Sequence, residues 1–300
     1  MWSGARMNYE NYNTQVLALA EELNLPEPVL ELLGSKCALL PWEHLHENII
    51  KLTNPCEAEE ARIQLVEALV DYGNENGMAE LAVMLAAALH TRKRYEAIGI
   101  SDSIYFDTMG CFKRFLEETK NITGDWKFDR GFWTWRQTAG LLFRIGTLEF
   151  EYTKCFHNGI PQVDKEDMII SVHIPSYAKL TEGNLSKTYA EMEGFYRKYQ
   201  NAICHKGTPQ AVVCHTWLLS PSLLQFLGEN SGIRNFAKDY EIYDTDADND
   251  GCLTWLFNGN KDLLTLPENT SLQKEVKKYL SQGGVIGHGF GRLKKPCVFS

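Results

Sequence analysis

The chain has 300 residues, 44% of them hydrophobic and 23% charged; this excludes a disordered chain, and at about 100–200 residues per domain the length predicts two domains. The net charge of −9 argues against a nucleic-acid partner, because proteins that follow phosphate backbones usually carry a basic excess. Residues 1–10 lack a signal-peptide core, and no segment approaches the ~20 apolar residues of a membrane span. The eight cysteines form no CxxC pair. We therefore expect a cytoplasmic protein with reduced thiols and no membrane partner.

The first part of the chain shows helical patterns only. Val16, Leu19, Ala20 and Leu23 recur on one helix face, and this pattern stops before Pro26. Further helices are predicted at 28–33, 54–70, 78–95 and 101–116. No strand pattern precedes about residue 125. The sequence therefore predicts an all-helical N-terminal domain over residues 1–127.

Strand patterns dominate the rest of the chain, which predicts a second domain over residues 128–300. The predicted strands lie at 143–150, 168–174, 211–219, 239–243, 253–257 and 285–293, and the predicted helices at 184–200, from 221, and at 271–280. The segment 211–219 is the most apolar and is expected to be central. Segments 239–243 and 253–257 are expected to form a hairpin. Strands alternating with helices indicate an α+β protein with a mixed sheet flanked by helices.

Five strings resemble a family of bacterial two-domain proteins that combine a helical N-terminal domain with a GNAT-like C-terminal acyltransferase domain. They are FDRGFWTWRQ at 128–137, LFRIGTLEFE at 142–151, VCHTWLLSP at 213–221, ENSGI at 229–233 and LPENTSLQ at 266–273. The resemblance implies an acyl-CoA-dependent N-acyltransferase that acts by direct transfer, with acetyl-CoA as the favoured co-substrate. The acceptor would be a small-molecule or peptide amine.

The resemblance also indicates where coenzyme A would bind. GNAT enzymes usually hold its pyrophosphate on a glycine-rich loop and the helix start that follows. After the predicted central strand this chain instead reads Leu218, Leu219, Ser220, Pro221 and Ser222. The two serines can cap the helix and leave N–H groups for an anion, while the proline removes one donor. The missing glycines keep open an alternative, a non-catalytic ligand-binding protein that kept the fold.

Three residues are predicted to carry the chemistry. His215, in the central strand, is the candidate base that takes the proton of the amine; its alternative is a hydrogen-bonded core histidine. Glu149 and Glu151 share one strand face, and Glu149 can act through a water; a solvated sheet face is the favoured reading. Tyr279 is the candidate acid for the leaving thiolate, a role that the GNAT resemblance suggests, with plain packing as the alternative.

Other motifs receive simpler interpretations. Cys214 can be a nucleophile, but a buried thiol is favoured. The acidic loop 244–251 resembles the start of a calcium site, yet Phe257 stands where the bidentate glutamate belongs, which favours an acidic turn. Cys214 and His215 point to opposite faces of a strand, so no zinc site is expected. The glycines of 284–291 are interpreted as an edge strand. The sequence thus predicts no metal.

Overall fold

The computed structural model describes residues 11–248 and 250–299. The chain divides into two compact units, the first ending at Arg144 and the second beginning at Ile145. The change in composition predicts a boundary at 127/128, but α8 (Gly131–Thr138) belongs to the first unit. No helix within the described ranges has the length and apolar character needed to cross a bilayer.

Within the described residues before β1, the first unit contains helices and no strand, as predicted. Its helices are α1 Tyr12–Glu22, α2 Glu27–Cys37, α3 Trp42–Lys51, α4 Ala58–Ala68, α5 Met78–Ile98, α6 Asp102–Met109, α7 Cys111–Thr123 and α8. The predicted helix 101–116 is in fact two helices that break at Gly110, and Ser101 caps the first of them by accepting the N–H of Ile104.

Helix α5 forms the centre of this unit. Every residue from Met78 to Ala88 is buried, which explains why this stretch is apolar at every position but Glu80 rather than on one stripe. It packs against α1, α2, α3 and α8, and its alanines allow close approach of these neighbours. Gly77, directly before α5, has φ +72°, and a Cβ there would overlap the carbonyl oxygen of Phe128; only glycine fits this position.

The second unit is built on a mixed sheet with helices, which confirms the predicted α+β class. The strands are β1 Leu142–Ile145, β2 Leu148–Lys154, β3 Met168–His173, β4 Val212–Thr216, β5 Tyr240–Thr245 and β6 Gly289–Leu293, in the order β1-β2-β3-β4-β6-β5. β3 and β4 are parallel, whereas the pairs β2–β3, β4–β6 and β5–β6 are antiparallel. The helices are α9 Glu182–Ile203, α10 Pro221–Leu224, α11 Gly232–Lys238, α12 Asp250–Leu256 and α13 Ser271–Ser281.

Two apolar clusters hold this unit together. One lies on a sheet face, where Ile160 and Val163 of the segment after β2 cover Ile169, Val213 and Phe290. The other, which we name the β4-end cluster, forms where the chain leaves β4. Its buried members are Leu218, Leu223, Cys252, Leu253, Phe257, Leu266, Val276, Leu280 and Ile286.

Two strand predictions are wrong. Residues 253–257 do not pair with β5, because Leu253 lies in α12 and packs into the β4-end cluster. Strand β6 is not an edge strand but lies between β4 and β5. A Cβ on Gly289 would overlap the carbonyl oxygen of Leu219, so glycine permits a close backbone approach inside the sheet. The predicted central position of β4 is confirmed, although the strand stops at Thr216 and continues as a 3-10 turn.

Candidate active site

The parallel strands β3 and β4 are paired over a short distance. The register joins Ile170 to Val212 and Ser171 to Val213, after which β3 continues to His173 and β4 to Thr216. The next acceptor along β3, the carbonyl oxygen of Val172, receives the thiol of Cys214 at 3.2 Å. Backbone pairing therefore stops before the carboxyl ends of the two strands. We name this unpaired place the opening, because open sheets of parallel strands bind ligands at the carboxyl ends of their strands.

The main chain of His215 faces this opening. The carbonyl oxygen of Ala211 accepts the N–H of Ile170 on β3 at 2.9 Å. Main-chain groups along a strand alternate sides with a period of two residues, so the N–H of His215 points in the same direction as Ala211. His215 thus presents a backbone donor to the opening, and its side chain is 41% exposed.

Asp246 joins His215 to a second histidine. The Nε2 atom of His215 lies 3.0 Å from Oδ2 of Asp246, and Nδ1 of His288 lies 3.1 Å from Oδ1 of the same carboxylate. The backbone N–H of His288 also donates to Oδ1 at 2.9 Å, and the N–H of Asp246 donates to the carbonyl of His288 at 3.1 Å. Three of these hydrogen bonds end on the carboxylate and the fourth holds the backbone of Asp246, so together they fix this side chain between β4 and the start of β6.

The carboxylate of Asp246 is ionised at neutral pH. Partial burial alone would raise its pKa, but hydrogen bonds from the backbone and side chain of His288, the N–H of Asp248 and the side chain of His215 outweigh this and lower the pKa to about 2. An ionised carboxylate only accepts hydrogen bonds, so Nε2 of His215 carries the proton that it shares with Asp246. In neutral His215 the lone pair is then on Nδ1, the atom that can act as a base.

His157 completes the surroundings of His215. Its ring stacks on Phe290 with centroids 3.8 Å apart, and its centroid lies 5.0 Å from that of His215. Burial lowers the pKa of His157, and the neighbouring His215 lowers it further. A neutral imidazole beside the candidate base avoids a second positive charge there.

The predicted residue Glu149 lies elsewhere on the same sheet. Glu149 and Glu151 are 3% and 8% exposed, so the favoured reading of a solvated face is wrong. Glu149 pairs with His173 across β2 and β3, and Glu151 accepts from Nε2 of His173 at 2.8 Å. Because β3 separates β2 from β4, Glu149 is about 10 Å from His215; the structure does not bring these two predicted residues together.

The predicted cofactor segment is largely internal. Leu218, Leu219 and Ser220 are buried. The hydroxyl of Ser220 accepts the N–H of Leu223 and donates to the carbonyl of Ile286, which confirms Ser220 as a helix cap. Ser222 lies inside α10, a helix of four residues.

A longer helix follows the carboxyl end of β3 in the chain. Helix α9 follows β3 and has 22 residues. Thr181 caps it by accepting the N–H of Asn184 at 3.4 Å, and Glu182 and Gly183 of the first turn are exposed. The N–H groups of a helix's first turn have no partner within the helix and attract anions.

Tyr279 and Cys214 occupy apolar surroundings. The ring of Tyr279 packs edge-on against Phe226 with centroids 5.3 Å apart, at the border of the β4-end cluster. Cys214 is fully buried, and burial raises the pKa of its thiol. A buried, protonated thiol is not a nucleophile, so the favoured reading of Cys214 is confirmed. All eight cysteines are free.

The acidic loop is organised around its own backbone. The N–H groups of Asp248 and Asp250 are bound by the carboxylates of Asp246 and Asp248, and Asp250 pairs with Lys261 at 2.8 Å. Asp246 points to the two histidines. Within residues 11–248 and 250–299, the group whose three ligand atoms lie within 4.8 Å of one another is His215, Asp246 and His288, and not a calcium-type set of aspartates.

Sequence reasoning found His215 but missed Asp246, His288 and His157. Asp246 and His288 are 31 and 73 residues from His215 in sequence, so no local pattern connects them. One signal was available: His288 stands between Gly287 and Gly289, and glycines on both sides of a polar residue indicate close backbone packing around it.

Two family matches cover most of the chain. Residues 142–293 match the GNAT-like C-terminal domain, and residues 15–140 match the N-acyltransferase N-terminal domain. The fold and the opening between parallel strands thus define a GNAT-like protein of two domains. The chain belongs to the acyltransferase family that combines these two domains.

Solved structures with the same fold are acyltransferases. One, in complex with decanoyl-CoA, aligns with a TM-score of 0.72 at 18% identity over 97% of this chain and 100% of that chain. A mutant acyltransferase in complex with octanoyl-CoA aligns with a TM-score of 0.71 at 20% identity, over 94% and 88% of the two chains. A third, in complex with decanoyl-CoA and teicoplanin, has a TM-score of 0.64 at 21% identity, over 97% and 100%. A comparison with curated proteins found no match.

Proposed function

We propose that this protein is an acyl-CoA-dependent N-acyltransferase. The observation that carries the proposal is His215, which offers a backbone N–H and a side-chain base at the opening between β3 and β4. Membership of the acyltransferase family and neighbours that bind acyl-CoA support the same reaction.

The proposed reaction is a direct attack by the amine on the thioester carbonyl carbon. Nδ1 of His215 takes a proton from the amine as the C–N bond forms, and Asp246 stabilises the imidazolium through its hydrogen bond to Nε2. The backbone N–H of His215 donates to the carbonyl oxygen as negative charge develops there. The C–S bond then breaks, and coenzyme A leaves as a thiolate whose protonation balances the proton that His215 took from the amine. The roles of Tyr279 as acid for this thiolate and of Glu149 as a water-linked base stay predictions.

We place the pyrophosphate at the N-terminus of α9 rather than at α10. Helix α9 has 22 residues against the four of α10, and the longer helix has the larger dipole. It also follows the carboxyl end of β3, which borders the opening, whereas the hydroxyl of Ser220 is already bound on both sides. Glu182 opposes an anion here, and Lys179 in the preceding loop adds a compensating positive charge.

The acyl group and the acceptor are open to direct measurement. The sequence favours acetyl-CoA, while the neighbours hold decanoyl-CoA and octanoyl-CoA. A neighbour in complex with teicoplanin supports a small-molecule amine as acceptor. We therefore propose an amine acceptor and treat chain length as the variable of the binding experiment.

The first test is calorimetric titration with acetyl-, octanoyl- and decanoyl-CoA. Saturable one-to-one binding supports the proposal, and no binding of any of the three would favour the non-catalytic alternative. Two matched variants locate the pyrophosphate. Gly183→Asp adds a negative charge at the start of α9, in open space, and is expected to weaken binding about tenfold, or about 1.4 kcal/mol. Ser222→Asp adds the same charge at α10 and is expected to change binding less than about twofold. A larger loss of acyl-CoA affinity in Ser222→Asp than in Gly183→Asp would instead support the sequence-based assignment of the pyrophosphate to the start of α10.

The second test is turnover, followed by mass spectrometry of amine mixtures incubated with the acyl-CoA that binds best. His215→Asn is expected to lower kcat about 100-fold or more without changing acyl-CoA affinity. Tyr279→Phe tests the predicted acid in the same assay. His44→Gln, at an exposed position of α3, is the control. Turnover that survives in His215→Asn would refute the assignment of the base.

A further inference from the structure

The two histidines and the aspartate at the end of β4 form a cluster that the transfer reaction does not fully use. The proposed reaction needs the base and its carboxylate, but not His288. One nitrogen from each imidazole and one carboxylate oxygen all lie within 4.8 Å of one another. Two imidazoles and one carboxylate are a common ligand set for Zn²⁺ sites that keep an open coordination position.

The geometry is close to that of a bound zinc ion. Ligand atoms about 2.0–2.2 Å from a tetrahedral zinc are about 3.4 Å apart. With Oδ2 of Asp246 as the oxygen ligand, its edge to Nε2 of His215 is 3.0 Å, so a small outward movement suffices there. Nδ1 of His288 lies 3.1 Å from the other carboxylate oxygen, Oδ1, so the edges that involve His288 must adjust within the 4.8 Å span of the cluster. The side chain of His215, which is 41% exposed, has room to rotate.

Two of the three ligands are held in place by further contacts. The N–H of Asp246 donates to the carbonyl oxygen of His288, and the N–H of His288 donates to Oδ1 of the Asp246 carboxylate. The far side of the His288 ring lies against Gly251, where a Cβ would overlap Nε2, so the ring presents Nδ1 to the carboxylate. Ligands fixed by such supporting contacts bind metal more tightly than mobile ones.

The surrounding charge also favours a cation. Asp244, near the end of β5, and Asp248, in the loop that follows, are exposed close to Asp246 in the chain. Lys261, the cation paired with this loop, lies against Asp250 at 2.8 Å. The loop therefore keeps a negative excess next to the cluster.

We propose that His215, Asp246 and His288 form a Zn²⁺ site whose occupancy switches the transferase off. Zinc bound to Nε2 of His215 uses the lone pair of that nitrogen, and the imidazole proton moves to Nδ1. The atom that would take the proton of the amine then has no free lone pair. This inhibitory effect rests on the proposed function, whereas the binding of zinc does not.

The test measures Zn²⁺ affinity by competition with a chromogenic chelator. It uses the full chain with the exposed Cys56 replaced by serine, so that this thiol does not bind zinc. The expected result is one equivalent of Zn²⁺, with affinity reduced at least about tenfold in His288→Asn and in His215→Asn. The asparagine at position 288 keeps a donor for the carboxylate but is a poor metal ligand. Asp244→Asn, which removes loop charge but no ligand, is expected to lower affinity less than about threefold.

Equal Zn²⁺ affinity in the parent protein and in His288→Asn would overturn the site. A loss of Zn²⁺ affinity in Asp244→Asn as large as that in His288→Asn would also overturn it, because it would indicate diffuse attraction by the acidic loop. Transfer activity is then measured with and without one equivalent of Zn²⁺, and inhibition reversed by chelator is expected. Zinc that binds at the cluster without inhibiting transfer would overturn the switch. Failure of the protein to bind acyl-CoA would refute the transferase and leave the chelator measurement unaffected.

Discussion

Replacing His90 by glutamine should remove a pH-dependent part of the stability of the helical unit. Nε2 of His90 lies 2.6 Å from the hydroxyl of Tyr12, which is also 2.8 Å from Nδ1 of His46. One hydroxyl has one proton, so one histidine accepts it and the other donates. Burial, and to a smaller extent the neighbouring His46 and Lys93, lower the pKa of His90 from 6.5 to about 4.

The sign and size of the effect follow from these two pKa values. Between them the unfolded chain binds a proton at His90 that the folded protein does not, so stability falls as the pH falls from 6.5 to 4. At about 1.4 kcal/mol for each unit of pKa, the loss between pH 7.5 and pH 4 is about 3 kcal/mol. His90→Gln keeps a polar partner for Tyr12 and cannot titrate, so this loss should disappear.

The assay is urea unfolding followed by far-ultraviolet circular dichroism at a series of pH values from 4 to 7.5. The quantity compared is the difference in the free energy of unfolding between wild type and variant at each pH, because carboxylates titrate in both proteins and cancel. His44→Gln, at an exposed position of α3, should follow wild type. The same fall in the free energy of unfolding with falling pH in wild type and His90→Gln would refute the reasoning. A reduction of this pH dependence by His44→Gln as large as that by His90→Gln would also refute it.

Three further outcomes are expected. Gly77→Ala should lower the free energy of unfolding, measured by thermal unfolding, by about 3 kcal/mol or more, because its Cβ would overlap the carbonyl of Phe128. Gly99→Ala, at φ +78° with open space around it, should lower it by about 1–2 kcal/mol. Equal losses in the two variants would contradict the overlap. Thr270→Ala should lose about 1 kcal/mol of stability by removing the capping box of α13, and serine should restore it. Asp246→Asn should keep acyl-CoA affinity and lower kcat about tenfold or more, and an unchanged kcat would remove this residue from the mechanism.

Features that depend on neighbours in sequence could be predicted. Helix α5, from Met78, follows from its alanine-rich apolar run, and Ser101 caps a helix as expected. The central place of β4 follows from its apolar composition, because a strand covered on both faces has no polar alternation. The candidate base His215 was found in the same way, from its place in that strand.

Features that depend on pairing between distant segments could not be predicted. The burial of Glu149 depends on what covers the sheet, which the alternation of residues along one strand does not indicate. The contact of Asp246 with His288 joins positions 42 residues apart. The sequence pattern assigned the cofactor segment to the residues that follow β4. The start of α9 is the better candidate because β3 pairs in parallel with β4. That pairing cannot be read from the sequence of either strand alone.

The position of β6 inside the sheet has a consequence for how the second unit folds during synthesis. Strand β5 is hydrogen-bonded to β6 and not to β4, so it has no place in the sheet until residues 289–293 have left the ribosome. Until then β4 presents an open edge that includes His215, and open strand edges are sites of mispairing between chains. The helical unit, whose described elements precede residue 145, can fold earlier. The sheet, and with it the candidate active site, is completed only after translation has passed β6.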